Sequence, residues 1–188
     1  AEVAGLDAIG SHRGAVTLIR LEGILASASH RAASLAAALK PFGTAQVIED
    51  AASAAAWAAI RDVLPFAANG PLGAWPVWRI VCPPAMGGAL GQTLARETGG
   101  DVIYDWGGGL IWAALPPRGD GLAALVRRRV AAAFGHAMLL RAPEAVRREV
   151  DVFQPEDGGL GALTERLRNS FDPKRILNRG RMVRERAA

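Results

Sequence analysis

Cysteine, lysine and long apolar runs are scarce in this chain of 188 residues. The single cysteine, Cys82, excludes an internal disulfide and a paired-cysteine metal site, and its place at the end of an apolar strand indicates a buried core residue. No apolar run reaches the roughly 20 residues that a membrane helix needs, so we expect no membrane insertion. The three histidines, His12, His30 and His136, lack the spacing of metal ligands, so no metal site is expected.

Familiar catalytic motifs are missing as well. The sequence contains no nucleophile elbow, phosphate-binding loop or dinucleotide glycine fingerprint, and a strand rather than a helix is expected after the glycine run 107–109. Carboxylates are sparse and do not pair in a way that suits acid–base catalysis, so we predict no catalytic residue in this chain. The start carries no secretion signal and opens with Ala-Glu rather than Met, which is expected of a processed or cut N-terminus.

Alanine, arginine and glycine are abundant instead. Apolar residues make up 51% of the chain, which is enough for one domain with a substantial core. The formal net charge is +4, and nearly all basic residues are arginines scattered along the sequence. The densest run, 127–129, lies on a predicted helix, where consecutive side chains point in different directions. A solvated helix face is therefore favoured, and no nucleic-acid partner is predicted.

The first part of the chain has a residue pattern that is typical of alternating strands and helices. Residues 14–22 predict a strand, 24–40 a helix with one apolar stripe, and 44–49 a second strand, which together form a βαβ-like unit. An alanine-rich helix over 51–63 follows. The Gly/Pro-rich segment 65–76 is interpreted as a connection, because the apolar pattern resumes directly after it.

The second half predicts a ferredoxin-like arrangement. Its order of elements, β-α-β-β-α-β, is a split βαβ pattern whose helices cover one face of the sheet. We therefore predict an α+β fold with a mixed or antiparallel ferredoxin-like sheet and helices on one face. The N-terminal βαβ-like unit and a C-terminal helix plus tail would extend it. The six predicted elements are 77–81, 86–98, 101–106, 110–115, 121–134 and 137–140.

The hairpin DWGGGLIW, residues 105–112, is the most informative local feature. Trp106 and Trp112 flank a flexible glycine run whose backbone can be approached closely. The two indoles could line a pocket or dock against a partner, since tryptophan favours half-buried sites. The alternative is a core hairpin whose tryptophans pack under the helices.

The tail FDPKRILNRGRM, residues 171–182, resembles the FDP-x-x-x-x-N-P-G-R/K-M ending of FAD-linked oxidases of the vanillyl-alcohol oxidase type. Arg179 stands where that family usually has proline, so the turn is less rigid than in the family. The glycine-rich pyrophosphate segment of the family's FAD-binding half does not occur in this sequence. The matching positions are Phe171, Asp172, Pro173, Asn178, Gly180, Arg181 and Met182.

Within that superfamily, the tryptophan hairpin most resembles the flavin-binding E subunits of bacterial glycolate oxidases, and the order of elements over 13–141 resembles their cap domain. The resemblance implies that 1–188 is a cap domain on the substrate side, and that 159–188 is a closing helix and tail that return to the FAD-binding domain. It also implies FAD as the cofactor of the intact subunit, with Asn178 and Arg181 near it, and no cofactor in this chain alone.

The implied reaction is oxidation of a 2-hydroxy acid, glycolate, to the 2-oxo acid glyoxylate, with electrons passing through FAD; the isolated chain is expected to be inactive. A substrate carboxylate favours an arginine, and Arg79 is a candidate because its neighbours Trp78 and Ile80 point to the opposite face. The alternative is a solvent-facing Arg79. The implied partners are the chain's own N-terminal FAD-binding domain and other glycolate oxidase subunits, in the cytoplasm or peripherally at the inner membrane through the complex.

Two other interpretations stay open from the sequence, beside a weaker third in which the scattered arginines bind nucleic acid. One is a stand-alone ferredoxin-like binding or regulatory module. The other is the cap of a related D-2-hydroxy acid dehydrogenase, although such caps usually carry histidine and carboxylate clusters and His136 has no neighbouring histidine motif. The sequence also leaves open whether the subunit turns over glycolate or serves assembly and electron transfer. The family interpretation predicts an exposed apolar docking surface around Ile176 and Met182.

Overall fold

The computed structural model describes residues 2–4, 15–156, 158–178 and 180–181. Three residues named above, His12, Arg179 and Met182, lie outside the described residues. The chain divides into two compact units, Ala1–Pro65 and Phe66–Ala188.

The first unit contains two short strands and two helices. Strands β1 (Glu2–Ala4) and β2 (Ala15–Thr17) pair antiparallel, and helices α1 (Leu25–Leu39) and α2 (Asp50–Arg61) follow. No side chain of α1 is buried, whereas α2 buries three small or apolar residues on one face: Ala56, Ala59 and Ile60.

The βαβ-like unit predicted for this part is wrong in its second strand. Residues 44–49 are described and have no regular structure, and the strand expected over 14–22 is limited to β2 within the described part. In 44–49 the two large apolar residues, Val47 and Ile48, are adjacent, so an extended chain would point them to opposite sides. The segment therefore has no apolar face to bury, and Val47 is 58% exposed.

The second unit has the predicted ferredoxin-like fold. Its first four elements are β3 (Val77–Val81), α3 (Pro84–Thr98), β4 (Asp101–Asp105) and β5 (Leu110–Ala114). They are followed by α4 (Ala123–Ala132), β6 (His136–Arg141), α5 (Glu144–Glu149) and α6 (Gly158–Phe171). The four strands form an antiparallel sheet in the order β4-β5-β3-β6. In this order, α3 and α4 each connect two parallel strands, and one antiparallel strand lies between the two strands that each helix connects.

The core of the second unit lies between one face of this sheet and helices α3 and α4. Trp78 is fully buried there, and its indole N–H donates a hydrogen bond of 3.1 Å to the carbonyl oxygen of Gly121. A buried tryptophan needs such a partner, so the segment before α4 is tied to β3. The other large side chains fully enclosed in this core are Ile80, Leu94, Ile111, Leu115, Val126 and Val130.

The outer edge of β6 is partly covered by the segment after α5. Phe153 forms an antiparallel bridge with Met138, and the N–H of Leu139 donates to the carbonyl oxygen of Val152 at 2.9 Å. The guanidinium of Arg127 on α4 holds the same segment by donating to the carbonyl oxygens of Asp151 and Phe153. Among the described helices, none is long and apolar enough to span a bilayer.

Candidate functional site

The cross-strand register brings Arg79 and Trp112 together. Arg79 on β3 pairs directly with Trp112 on β5 and with Met138 on β6, and Trp112 pairs with Ile103 on β4. Directly paired residues of antiparallel strands point to the same side of a sheet. Since Trp78, next to Arg79, lies in the core, Arg79 and Trp112 belong to the sheet face opposite the helices.

Trp106 completes a cluster with these two residues. The Arg79 guanidinium carbon lies 5.4 Å from the ring centroid of Trp106 and 5.9 Å from that of Trp112. Both distances are within the range of cation–π attraction. The interpretation of the hairpin as one whose indoles pack under the helices is therefore wrong, because Trp106 is 59% exposed and Trp112 is half-buried on the other face. We call Arg79, Trp106 and Trp112 the arginine–tryptophan cluster.

The turn that carries Trp106 has an unusual backbone. Trp106 has a φ of 54°, and Gly107 and Gly108 continue with φ of 62° and 98°. Glycine adopts such angles without steric cost, whereas tryptophan does so rarely. The Asp105 carboxylate supports the turn, since one of its oxygens accepts a hydrogen bond of 2.7 Å from the backbone N–H of Trp106.

Close backbone packing attaches this turn to the start of α3. A Cβ built on Gly108 would lie 2.7 Å from the carbonyl oxygen of Pro84, and the N–H of Cys82 donates to the carbonyl oxygen of Gly109 at 3.1 Å. Side chains at these positions would push the turn away from the helix. The glycine run thus has a structural purpose, which is to set the turn directly on α3 and fix the place from which Trp106 projects.

The Arg79 guanidinium is not paired with an acidic side chain among the described residues. None of the ion pairs or side-chain hydrogen bonds found among the described residues includes Arg79. Aromatic rings that lie over the face of a guanidinium leave its N–H groups at the edge, where a carboxylate can bind them in pairs. The cluster is therefore chemically suited to a small planar anion.

Cys82, directly after β3, is a core residue as predicted. It is 6% exposed, and burial raises the pKa of its thiol. A buried thiol with a raised pKa forms little thiolate and is a poor nucleophile. Within the described ranges, no group of three His, Cys, Asp or Glu side chains is arranged to hold a metal ion.

A second feature is the tail after α6, which is held by the Asp172 carboxylate. Its two oxygens accept hydrogen bonds from the backbone N–H groups of Ile176, at 3.0 Å, and Leu177, at 2.9 Å. The bond from Leu177, with that from Ile176 and the charge of Arg175, lowers the pKa of Asp172 below its usual range. From the sequence, Asp172 was named only as a matching position of the tail motif, although an Asp-Pro pair after a helix is also a common turn signal.

Arg175 ties the same segment back to α6. Its guanidinium donates to the Glu165 carboxylate and, at 2.7 Å, to the side-chain oxygen of Asn169. The ion pair with Arg175 lowers the pKa of Glu165. Together with Asp172, these contacts form what we call the tail latch.

The predicted cofactor contacts, Asn178 and Arg181, lie beyond the tail latch with both side chains exposed. The N–H of Arg181 donates to the carbonyl oxygen of Asn178 at 3.1 Å. The amides of Ile176 and Leu177 are already bound by Asp172, so the turn itself cannot cradle a pyrophosphate. Asn178 and Arg181 fit the role of side-chain donors at the edge of a cofactor site built elsewhere, and no bond in the described part joins them to the arginine–tryptophan cluster.

Helix α6 and the tail expose a continuous set of large apolar side chains. None of the helix residues is buried, although the helix has an apolar stripe at spacings of three and four. Of the two residues around which an apolar docking surface is expected, Ile176 is 67% exposed, and Met182 lies outside the described residues. The stripe, which we call the α6 stripe, consists of Leu160, Leu163, Leu167 and Phe171, all exposed.

Comparisons of the chain with protein-family models, with curated proteins and with solved structures found no match.

Proposed function

We propose that this chain is the cap domain of the FAD-binding subunit of a glycolate oxidase, and that it takes part in oxidising glycolate to glyoxylate. The observation that carries the proposal is the exposed α6 stripe, which leads into a tail that resembles the ending of FAD-linked oxidases. An amphipathic helix gains stability by burying its apolar stripe, so the stripe calls for a partner surface. In the family, that surface belongs to the polypeptide's own FAD-binding domain.

The tail latch supports this interpretation. Asp172 orders the segment after the helix, while Ile176 and Leu177 keep their side chains exposed. Asn178 and Arg181 then follow at a place where they would donate hydrogen bonds to the cofactor after docking. Bound FAD would supply the hydride acceptor for the reaction.

The arginine–tryptophan cluster supports a 2-hydroxy acid as the substrate class. The carboxylate of such an acid would accept hydrogen bonds from the edge of the Arg79 guanidinium. The rings of Trp106 and Trp112 lie close to the guanidinium carbon, at 5.4 Å and 5.9 Å from their centroids, and would help to hold it in place. They also surround it with apolar surface, which strengthens its attraction for an anion by lowering the local dielectric constant.

Docking through the α6 stripe is the first point to test. The chain alone should bind no flavin, whereas the same chain joined to its FAD-binding domain and co-purified with the other oxidase subunits should retain FAD and reduce a dye when glycolate is added. Replacing Leu163 and Leu167 together with glutamate should lower flavin retention by about tenfold or more, because charges would be buried in an apolar interface.

Ala162→Glu is the matched control, because Ala162 is exposed on the opposite side of the same helix. It should leave flavin retention unchanged. Equal retention in L163E/L167E and A162E would reject docking through the α6 stripe. If the coding sequence before Ala1 specifies no FAD-binding domain and no such subunit associates with the chain, the cap assignment fails and a binding or regulatory module becomes the better interpretation.

A further inference from the structure

Strand β6 lies at one edge of the sheet, and its own sequence does little to protect that edge. Its four central residues, 137–140, are all apolar, and they include neither the lysine nor the proline that often discourages pairing at an edge. Leu140 in this stretch is 53% exposed. Without a cover, such an edge would offer its backbone N–H and C=O groups to a strand of another molecule.

Residues 151–154, which we call the edge guard, cover this strand. The carbonyl oxygen of Val152 accepts a hydrogen bond of 2.9 Å from the N–H of Leu139. At Gln154 a side chain takes the place of a backbone carbonyl, since its oxygen accepts a hydrogen bond of 3.1 Å from the N–H of Ala137. Two amides at the centre of the outer edge are therefore already bound and are not available to another strand.

Arg127 on α4 holds the edge guard from its other side. Its guanidinium donates hydrogen bonds to the carbonyl oxygens of Asp151, at 2.5 Å, and Phe153, at 3.1 Å. Val152, between these two residues, directs its carbonyl oxygen to β6 instead. The guanidinium thus binds the acceptors that the guard could otherwise offer to a further strand.

We propose that the edge guard, held by Arg127, ends the sheet and keeps β6 from pairing with the β6 strand of a second copy of the chain. A second copy is the expected partner because it carries the same apolar edge, and two identical strands can pair antiparallel about a twofold axis. The guard acts in this way whether or not the chain belongs to an oxidase.

The guard depends on Arg127 because its own pairing with β6 is short. Within the described residues, one isolated bridge, between Met138 and Phe153, joins the two segments. The bonds from the guanidinium are charge-assisted, and such bonds are roughly twice as strong as neutral ones. Loss of the guanidinium should therefore open the guard more often than loss of another exposed arginine.

Arg127→Leu tests this directly, because it removes the donors and keeps an apolar side chain near the Trp78 ring, 5.9 Å from the guanidinium carbon. In the whole chain, hydrogen exchange at the amide of Leu139 should accelerate by about tenfold or more as the guard opens. Sedimentation velocity should show a dimer whose association constant exceeds that of the wild type by about tenfold or more, as expected from the loss of hydrogen bonds to a charged group.

Arg129→Leu is the matched control. Arg129 lies on the same helix, but its guanidinium pairs with the Glu97 carboxylate and not with the edge guard. This change should leave both the exchange of the Leu139 amide and the association constant unchanged. The edge guard is overturned if R127L associates no more than the wild type, or if R127L and R129L behave alike.

A disulfide between the guard and β6 shows whether the association uses this edge. Met138 and Phe153 are directly paired, and the Cα atoms of such pairs lie about 4.5–5.5 Å apart, which a disulfide can span. In R127L/M138C/F153C, oxidation should return the association constant to the wild-type value, and reduction should raise it again by about tenfold. Cys82 is buried and does not interfere. Association that persists in the oxidised protein would reject pairing through β6.

Discussion

Gly87 and Gly108 touch through their backbones: a Cβ on Gly87 would lie 1.8 Å from the carbonyl oxygen of Gly108. Gly87 is in the first turns of α3, and Gly108 belongs to the turn that carries Trp106. No side chain fits between these backbones. The helix and the turn can therefore approach this closely only if both positions are glycine. The position of Trp106 depends on this approach.

Gly87→Ala should destabilise the protein by about 2 kcal/mol or more, because backbone atoms must move apart to admit the methyl group. Gly88→Ala is the control in the same helix, since a Cβ at Gly88 meets nothing within 4 Å. It should stabilise the protein by about 0.5–1 kcal/mol through its higher helix propensity. Urea unfolding measures both, and equal stabilities of G87A and G88A would contradict the close approach.

Gly91 makes a similar approach to a side chain, so its substitution should be rescued by a second change. A Cβ on Gly91 would lie 2.4 Å from the Tyr104 hydroxyl oxygen and 2.5 Å from its ring. Gly91→Ala should lower the free energy of unfolding by about 1–3 kcal/mol. When Tyr104 is already replaced by valine, the same Gly91→Ala change should lower it by much less. A double-mutant cycle in urea measures the coupling, and fully additive effects would show that Tyr104 is not the obstacle.

The sequence was sufficient to predict the second unit because its apolar spacing is regular. Leu90 and Leu94 on one side of α3 and the alternation around Trp78 and Ile80 in β3 identify each element and its buried face. The strand predicted over 44–49 is wrong because strand propensity does not by itself form a strand. Val47 and Ile48 favour strands, but the segment has no apolar face for a sheet to bury.

The arginine–tryptophan cluster could be predicted only in part. Alternation in β3 correctly placed Arg79 opposite Trp78, yet the contact with Trp112 depends on the register between β3 and β5, which are separated in sequence by a helix and another strand. Register follows from side chains packing across strands and cannot be read from either strand alone. The position of Trp106 depends on its left-handed backbone, which tryptophan rarely adopts and which the sequence did not suggest.

Under the proposed function, removing the charge of Arg79 should impair substrate binding when the chain is assembled with its FAD-binding domain and partner subunits. Arg79→Gln should raise the KM for glycolate by about 10- to 100-fold, which corresponds to the loss of charge-assisted hydrogen bonds. Arg79→Lys should recover only part of this loss, since an ammonium group cannot bind both carboxylate oxygens through a planar fork. Arg118→Gln, at an exposed loop position, is the control and should leave the KM unchanged. An unaltered KM in R79Q would remove Arg79 from the substrate site.

Cys82 should react slowly while the protein is folded. Burial raises the pKa of its thiol and blocks access, so little thiolate is present or reachable at pH 8. Its reaction with a disulfide reagent should be about 100-fold slower than in concentrated urea, where the thiol is exposed. Because the chain has one cysteine, the absorbance change reports this site alone. Equal rates in the two conditions would show that β3 opens readily or that Cys82 is accessible.

The tail latch should open in acid. Since the pKa of Asp172 is lower in the folded chain than in the unfolded one, its carboxylate stabilises the latch fully above the unfolded value, and this stabilisation is lost as the pH falls through the folded value. The amide signals of Ile176 and Leu177 should therefore titrate with a midpoint below the usual aspartate pKa of about 3.9.

Asp172→Asn tests the same contact at neutral pH. An amide offers one acceptor oxygen where the carboxylate offers two, so at least one of the bonds to Ile176 and Leu177 is lost and hydrogen exchange at that amide should accelerate. Asp120→Asn is the control, because Asp120 makes a comparable bond of 3.1 Å to the N–H of Ala124 in another part of the unit. It should leave both tail amides unchanged. If D172N and D120N gave the same tail-amide protection, Asp172 would not be what orders the segment that presents Ile176 and Leu177.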